Sequence, residues 1–464
     1  MGGDVTLPVL IGVDVGTARV KAVAVGLEGG ELAHVDQPTP WVKHGVNIEM
    51  DPEELARVIR AVVADVSGRA AADRSSGVEV AGIGVAGMGE AGVLVDRHGA
   101  PLNRIVGWHD PRGDVDTIRR EIGLDAFHRA VGMPLNAQPS LPKIVWMQRV
   151  NPGLAGASRF LSVPEWAVAC LGGVPVSEFS LASRTGLLDL GETAPFAGAV
   201  ALVGRNLLSE IVVAGTPAGT ARHEALPASV RGAVLTVAGH DHQVAALAVG
   251  AARPDALFNS MGSAESLARC VEGPLDPAAV GRLAEQGMTV GWGVVSGCMA
   301  VLGGLRTGLL LEEFATLLGA HDRESRRRLS EDSLLIDPAD LPVAAGDAGL
   351  VSGLLTEGFP AAAIWAAAVR DLSTESAQVL ARMSIELGPH RHVTIAGGWA
   401  RNSSVVAEKR RQLGEITVST LREAGSTGAA LLAGVAADII DRPEADPSPI
   451  WSVRAVVPER EVSR

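Results

Sequence analysis

The chain has 464 residues, more than one compact domain usually holds at roughly 100–200 residues each, so two or three domains are expected. Hydrophobic residues make up 47% and charged residues 20%, which excludes a disordered chain. A net charge of −13 argues against a nucleic-acid partner. It leaves an anionic substrate open, because binding a phosphate needs only a few local groups.

Pro8–Val13 is an apolar run that turns at Gly16-Thr17 and resumes at Val20–Val25; a Gly29-Gly30 turn leads on to Leu32–Val35. Apolar runs joined by short glycine turns predict a meander of strands. Asp51-Pro52 then reads as a helix start, with Leu55, Val58, Ile59, Val62 and Val63 at helical spacing. Val78–Val85 is strand-like and ends in Gly87-Met88-Gly89. A helical, weakly patterned region runs from about Val115 to Val174. Leu235–Val249 passes from strand through a tight turn to helix, and Ala256–Asn259 opens a new strand with a small-residue turn, Ser260–Ala264. His392–Ile395 is a strand ending in Ala396-Gly397-Gly398, followed by helices near Ser403–Leu413 and Ser426–Asp438. The strand and glycine turn near residue 16 return near 262, a coarse duplication that puts a boundary between Gly250 and Pro254.

Cys170, Cys270 and Cys298 lie far apart, with no zinc spacing and no disulfide framework. The first residues lack the pattern of a signal peptide, and no apolar run approaches the ~20 residues of a membrane span. A cytoplasmic protein without a membrane partner is expected.

Four segments carry chemistry. Asp14 ends a strand before a turn in which Gly16 lets the backbone approach an anion and Thr17 adds a hydroxyl. Such a carboxylate suits Mg²⁺, which takes one or two carboxylates plus phosphate oxygens. Asp241, in Gly239-His240-Asp241-His242-Gln243, stands where strand gives way to helix; taken alone such an Asp is most often a helix cap, and it can also accept the proton of a hydroxyl attacking a phosphoryl group. His242 faces substrate or packs. Ser260–Glu265, with Gly262 and Ser263, is a second Gly/Ser turn after a strand, of a kind that can cradle terminal phosphates from the other side of a cleft. Gly397 and Gly398 permit close approach of a nucleotide, and Asn402 offers an amide for adenine.

In their order and spacing, these segments resemble the FGGY carbohydrate kinases, which phosphorylate sugars and polyols with ATP. IGVDVGTARVKA matches the first phosphate turn, AGHDHQVAALAVG the segment of the base and FNSMGSAESLA the second phosphate turn. IAGGWARNSSVVAEKRRQLG with EAGSTGAALLAG matches the adenosine region. GIGVAGMGEAGVLVDRHGAPLNRIVGWHDPRG resembles the sugar side, and FSLASRTGLLDL a stretch in the middle of such kinases. The resemblance implies an α/β fold of two actin-like, ribonuclease-H-like ATPase domains flanking a deep cleft. Residues 1–250 would bind sugar, 251–440 nucleotide, and 441–464 would trail as a tail.

It further implies Asp241 as general base, ATP and Mg²⁺ as cofactors, Asp14 as the metal anchor, and Gly16, Thr17, Gly262 and Ser263 on the phosphates. Gly397, Gly398 and Asn402 would seat the nucleotide; Glu90, Trp108, Asp110, Arg112 and His242 would shape or brace the sugar pocket. Ionised Glu90 would accept from substrate hydroxyls. Glycerol kinases place an Arg-Glu pair where this chain has Gly89-Glu90, so glycerol is disfavoured. Ser263-Ala264 replaces the usual Thr-Ser, which removes one phosphate donor. Oligomeric state stays open, with a homodimer, common among such kinases, as the candidate. The competing readings are an actin- or Hsp70-like ATPase without sugar transfer and a catalytically silent sugar-binding sensor.

Overall fold

The computed structural model describes residues 7–27, 30–72, 77–336, 341 and 348–442. Gly29 of the expected Gly29-Gly30 turn and residues 443–464 of the expected tail lie outside the described residues.

Two six-stranded sheets carry the molecule. The first comprises β1 (Leu7–Val15), β2 (Arg19–Gly26), β3 (Glu31–Pro38), β4 (Val78–Gly87), β5 (Pro217–Thr220) and β6 (Val234–His240). Their order across the sheet is β5-β6-β4-β1-β2-β3. The second comprises β7 (Ala256–Met261), β8 (Glu265–Glu272), β9 (Thr289–Trp292), β10 (Cys298–Leu305), β11 (His392–Ala396) and β12 (Thr417–Val418), in the order β9-β10-β8-β7-β11-β12. β1 pairs antiparallel with β2 and parallel with β4; β7 repeats this with β8 and β11. The duplication expected from the glycine turns is therefore a duplication of topology.

β1 shows how sequence sets the layers. Successive strand residues point to opposite faces. Val9, Ile11, Val13 and Val15 pack with Leu55, Ile59 and Val62 of the helix Pro52–Ala72. That helix starts where its cap predicts, with Asp51 Oδ1 accepting from Glu53 N at 2.9 Å. Leu10, on the other face, packs with Ala430, Leu431 and Ala433 of the last described helix, Ala424–Ala436. Here glycines decide the approach. A Cβ at Gly12 would sit 1.8 Å from the Ser426 carbonyl oxygen, and one at Gly84 would sit 2.0 Å from that of Ala429. The final helix thus lies backbone to backbone on the first sheet.

The exchange is reciprocal. The helix Asp241–Ala248 follows β6 of the first sheet, yet Ala246 packs among Phe258, Ala268, Leu302 and Ala396 of the second. The sequence boundary near residue 250 separates the sheets, but each half lends its closing helix to the other.

Candidate active site

β1 ends on Asp14 and Val15 and turns through Gly16, whose N–H bonds the Arg19 carbonyl at 3.1 Å. Three side chains hold the turn. Thr39 Oγ1 donates to Gly16 O at 2.7 Å, Trp41 Nε1 to Thr17 O at 2.7 Å, and Trp108 Nε1 to Thr17 Oγ1 at 2.9 Å. The corresponding turn of the second sheet is Gly262–Ala264, closed by Gly262 N on Ala264 O at 3.0 Å. Ser263 and Ala264 are exposed.

Asp241 opens its helix as its first residue, and its Oδ1 accepts from His242 N at 2.6 Å. The backbone before it is fixed from below. His240 N donates to Ser180 Oγ at 2.9 Å, and Ser180 Oγ donates to Glu178 Oε2 at 2.5 Å. Gly239 has φ +113, and a Cβ there would meet Ser180 Oγ at 2.6 Å, so glycine is required. His240 is buried, which pushes its ring down to about 3 and keeps it neutral. Burial raises Glu178 to about 8.

Asp14 and Asp241 act on each other electrostatically and separate. Burial and then the charge of Asp241 push Asp14 up, to about 7. Burial also pushes Asp241 up, but His242, with its backbone N–H, and Arg184 outweigh it and leave the group below the usual carboxylate range. Asp14 Oδ1 is buried with no hydrogen-bond partner. An orphaned carboxylate oxygen beside a second carboxylate fits a bound cation, and the donor set fits Mg²⁺. No cluster of three or more His, Cys, Asp or Glu side chains suited to a metal occurs among the described residues, so phosphate and water would complete any coordination.

A cavity of about 220 Å³ joins these parts: Thr17, Glu90, Trp108, Asp241 and His242 line it from the first half, and Ala264, Glu265 and Thr289 from the second. A wider cleft of about 1170 Å³ is lined by Gly262, Ser263, Gly308, Gly398, Trp399, Arg401 and Asn402. Gly397 has φ +105, and a Cβ there would meet the Met261 carbonyl at 2.5 Å. It fixes the approach of β11 to β7 instead of lining the cleft.

Four further residues of the sequence reading are held by partners within the protein. Asp110 and Arg112 do not line the cavity. Asp110 is 1% exposed and accepts from Ile48 N at 2.7 Å and from Arg112 Nε at 2.9 Å. Arg112 also reaches Glu49 and lies over Trp146, 5.0 Å from the ring centroid. Together they brace the wall from behind. Asn402 caps the helix Ser403–Leu413, its Oδ1 accepting from Val405 N at 3.2 Å and Ser330 Oγ at 2.8 Å, so only its amide nitrogen remains to meet a base. Glu90, with φ +59, spends Oε1 on Arg184 Nη2 and on Gln138 Nε2 at 3.1 Å. Its Oε1 is engaged, while no hydrogen bond from the described residues reaches Oε2, and Glu90 lines the cavity.

Arg184, Gln138 and Thr289 were not singled out from sequence. Arg184 sits within FSLASRTGLLDL and is 6% exposed; its Nη1 donates to Thr289 Oγ1, which ties the Glu90 loop to the second sheet. Gly89 makes room for it, since a Cβ there would meet Arg184 Cγ and His240 Cδ2 at 3.0 Å. Lys143 lies behind the same wall. Its Nζ donates to the carbonyls of Trp108, Ala137 and Gln138, and burial pushes it down to about 8.

The fold and the cavity between repeated sheets define an actin-like two-domain α/β protein. Residues 9–248 match the sequence model described as "FGGY family of carbohydrate kinases, N-terminal domain". The chain belongs to the FGGY family of carbohydrate kinases.

It is 27% identical over 440 residues to a xylulose kinase of Streptomyces coelicolor, covering 91% of this chain and 87% of that protein. It is 23% identical over 185 residues to a gluconokinase of Bacillus subtilis, where the match spans 39% of this chain and only 35% of that protein. Two solved structures share the fold. A xylulose kinase from Rhodospirillum rubrum superposes with TM-score 0.77 at 21% identity, covering 92% of this chain and 90% of that one. A Plasmodium falciparum glycerol kinase with ADP superposes with TM-score 0.81 at 18% identity, covering 94% and 91%. Among the described residues no helix is long and apolar enough to cross a membrane.

Proposed function

We propose that the protein transfers the γ-phosphoryl group of ATP to a hydroxyl of a monosaccharide or polyol, with Asp241 as general base. The supporting observation is the 220 Å³ cavity, which gathers Asp241 with Thr17 of the first hairpin and Ala264 of the second. An acceptor hydroxyl there meets a carboxylate held ionised, and phosphate gripped by the two turns lies next to it.

Phosphoryl transfer depends mainly on positioning and charge neutralisation. Thr17 and Ser263 hold the β/γ-phosphates through their backbone N–H groups and hydroxyls, while Gly16 and Gly262, whose own N–H groups close the turns, let the backbone come close. Trp108 already donates to Thr17 Oγ1, which leaves the hydroxyl proton of Thr17 to point at a phosphate oxygen. Asp14 would hold Mg²⁺, which when bound would supply charge neutralisation on the phosphates. Gly398 and the Asn402 amide nitrogen border the nucleotide, with Gly397 setting the backbone beneath. Glu90, Trp108 and His242 border the acceptor, and Asp110 and Arg112 stiffen that wall. Residues 1–250 form the acceptor half and residues 251–440 the nucleotide half. The cytoplasm is the compartment proposed, with a homodimer as the assembly to test by light scattering.

The test is acceptor-dependent ADP release with Mg²⁺ over ketoses, aldoses and polyols. A phosphorylated product from at least one acceptor is expected. ATP hydrolysis that stays constant across the panel would place the protein with the ATPases of this fold instead. Acceptor binding without nucleotide binding, read by calorimetry, would make it a sensor.

A further inference from the structure

The acceptor cavity has a sign. Its charged wall residues are the carboxylates Glu90, Asp241 and Glu265 and the guanidinium of Arg184. Arg184 is committed: Nη2 bonds Glu90, Nη1 bonds Thr289, and Nε, without a partner, is closed off from solvent. Glu265 is matched from behind by Lys409 Nζ at 2.7 Å, both side chains being 1% exposed. Asn259 Nδ2 and Ser376 Oγ also donate to it, each at 2.8 Å. The Lys143 ammonium is turned to three carbonyls outside the cavity. His240 is neutral, and His242 stands beside Asp241. The two ion pairs cancel, and of the three wall carboxylates Asp241 alone has no Lys or Arg partner, its neighbours being the imidazole of His240 at 3.3 Å and the N–H of His242.

We propose that this cavity selects an electrically neutral polyhydroxyl acceptor and rejects sugar acids. The inference rests on the kinase reading above. A sugar carboxylate entering the cavity would lose its water without gaining a free cation. It would also approach the charge of Asp241, and like charges brought together at a binding site are strongly disfavoured. A hydroxyl suffers neither penalty. It can donate to Asp241, and its partners are dipoles and lone pairs. Arg184 sets this selectivity as a positioning residue: by holding Glu90 it keeps its own charge from serving an anion.

The test uses matched pairs that differ only in one end group: D-glucitol and D-gluconate, xylitol and xylonate, D-galactose and D-galacturonate. For each pair in which either member is phosphorylated, kcat/KM for the neutral member should exceed that for the acid by ~100-fold or more. An acid used as well as its neutral counterpart overturns the proposal. Glu90→Gln frees the guanidinium and should shift the acid-to-neutral ratio toward the acid by ~10-fold. An unchanged ratio in a folded variant overturns the part assigned to Arg184. If no acceptor is phosphorylated, the kinase reading falls. The charge selectivity is then read from binding of the same pairs by saturation-transfer NMR, where the neutral member alone should bind. Equal binding of the acids overturns it.

Discussion

The two glycine hairpins occupy equivalent places in the two sheets, yet they are held by opposite means. The first is gripped by side chains: Thr39, Trp41 and Trp108 bond Gly16 and Thr17 from three directions. The second is held by backbone packing. A Cβ at Gly308, in the first turn of the helix Thr307–Leu317, would lie 1.9 Å from the Gly262 carbonyl oxygen, and Ser263 stands exposed. The first turn is therefore set before any ligand arrives, and its wall continues into the acceptor cavity. The second faces the wide cleft of about 1170 Å³ and carries one hydroxyl, that of Ser263. The tighter hold is on the first turn, beside the 220 Å³ cavity that carries Asp241.

The largest expected effect strikes between the hairpins and should spare both. Asp241→Asn keeps the side-chain shape and removes the base, so kcat should fall by ~10²–10⁴-fold while ADP binding by calorimetry stays within twofold. Wild-type turnover of the true acceptor would remove Asp241 from the chemistry. Gly308→Ala strikes the second hairpin alone. The backbone contact must open, so KM for ATP should rise by ~10-fold or more with acceptor binding preserved. An unchanged KM would mean that the helix start does not hold that turn. Trp108→Phe loosens the first hairpin by one hydrogen bond of about 1 kcal/mol, roughly fivefold in kcat/KM. Equal losses for ATP hydrolysis and acceptor phosphorylation would deny Trp108 its acceptor-side role.

The last test reads stability. Glu178, beneath Asp241, has a folded value near 8 against the ordinary 4.5. As pH rises from about 4.5 to 8, the unfolded chain releases this proton while the folded chain keeps it, so this group's contribution to stability is lost through that window. Glu178→Gln removes the titration and still accepts from Ser180. Its melting temperature should fall less than wild type between pH 5 and 8, and parallel curves would contradict the assignment.

The local parts of this site could be read from sequence because their signals are local. A strand, a glycine and a hydroxyl within four residues specify a turn, and Asp241 stands out where an apolar strand meets an alanine-rich helix. The topological repeat was visible through the same turns. Arg184 was not legible, since its partners Glu90 and Thr289 lie 94 and 105 residues away. Glu90 was found, but its pairing depends on that distant guanidinium. Asn402 was read as a ligand group, although Asn before a helix also serves as a cap, and the cap claims its oxygen. Gly12, Gly82 and Gly84 within buried strands were a legible sign of close backbone approach. Only the fold reveals that the visitor is the last helix.

That helix dictates an order of assembly. During synthesis the first sheet emerges early, with its glycine notches bare, and the segment that fits them leaves the ribosome more than three hundred residues after Gly84. An amino-terminal fragment ending near residue 250 would lack its own lid, so the acceptor half matures only once the whole chain is made.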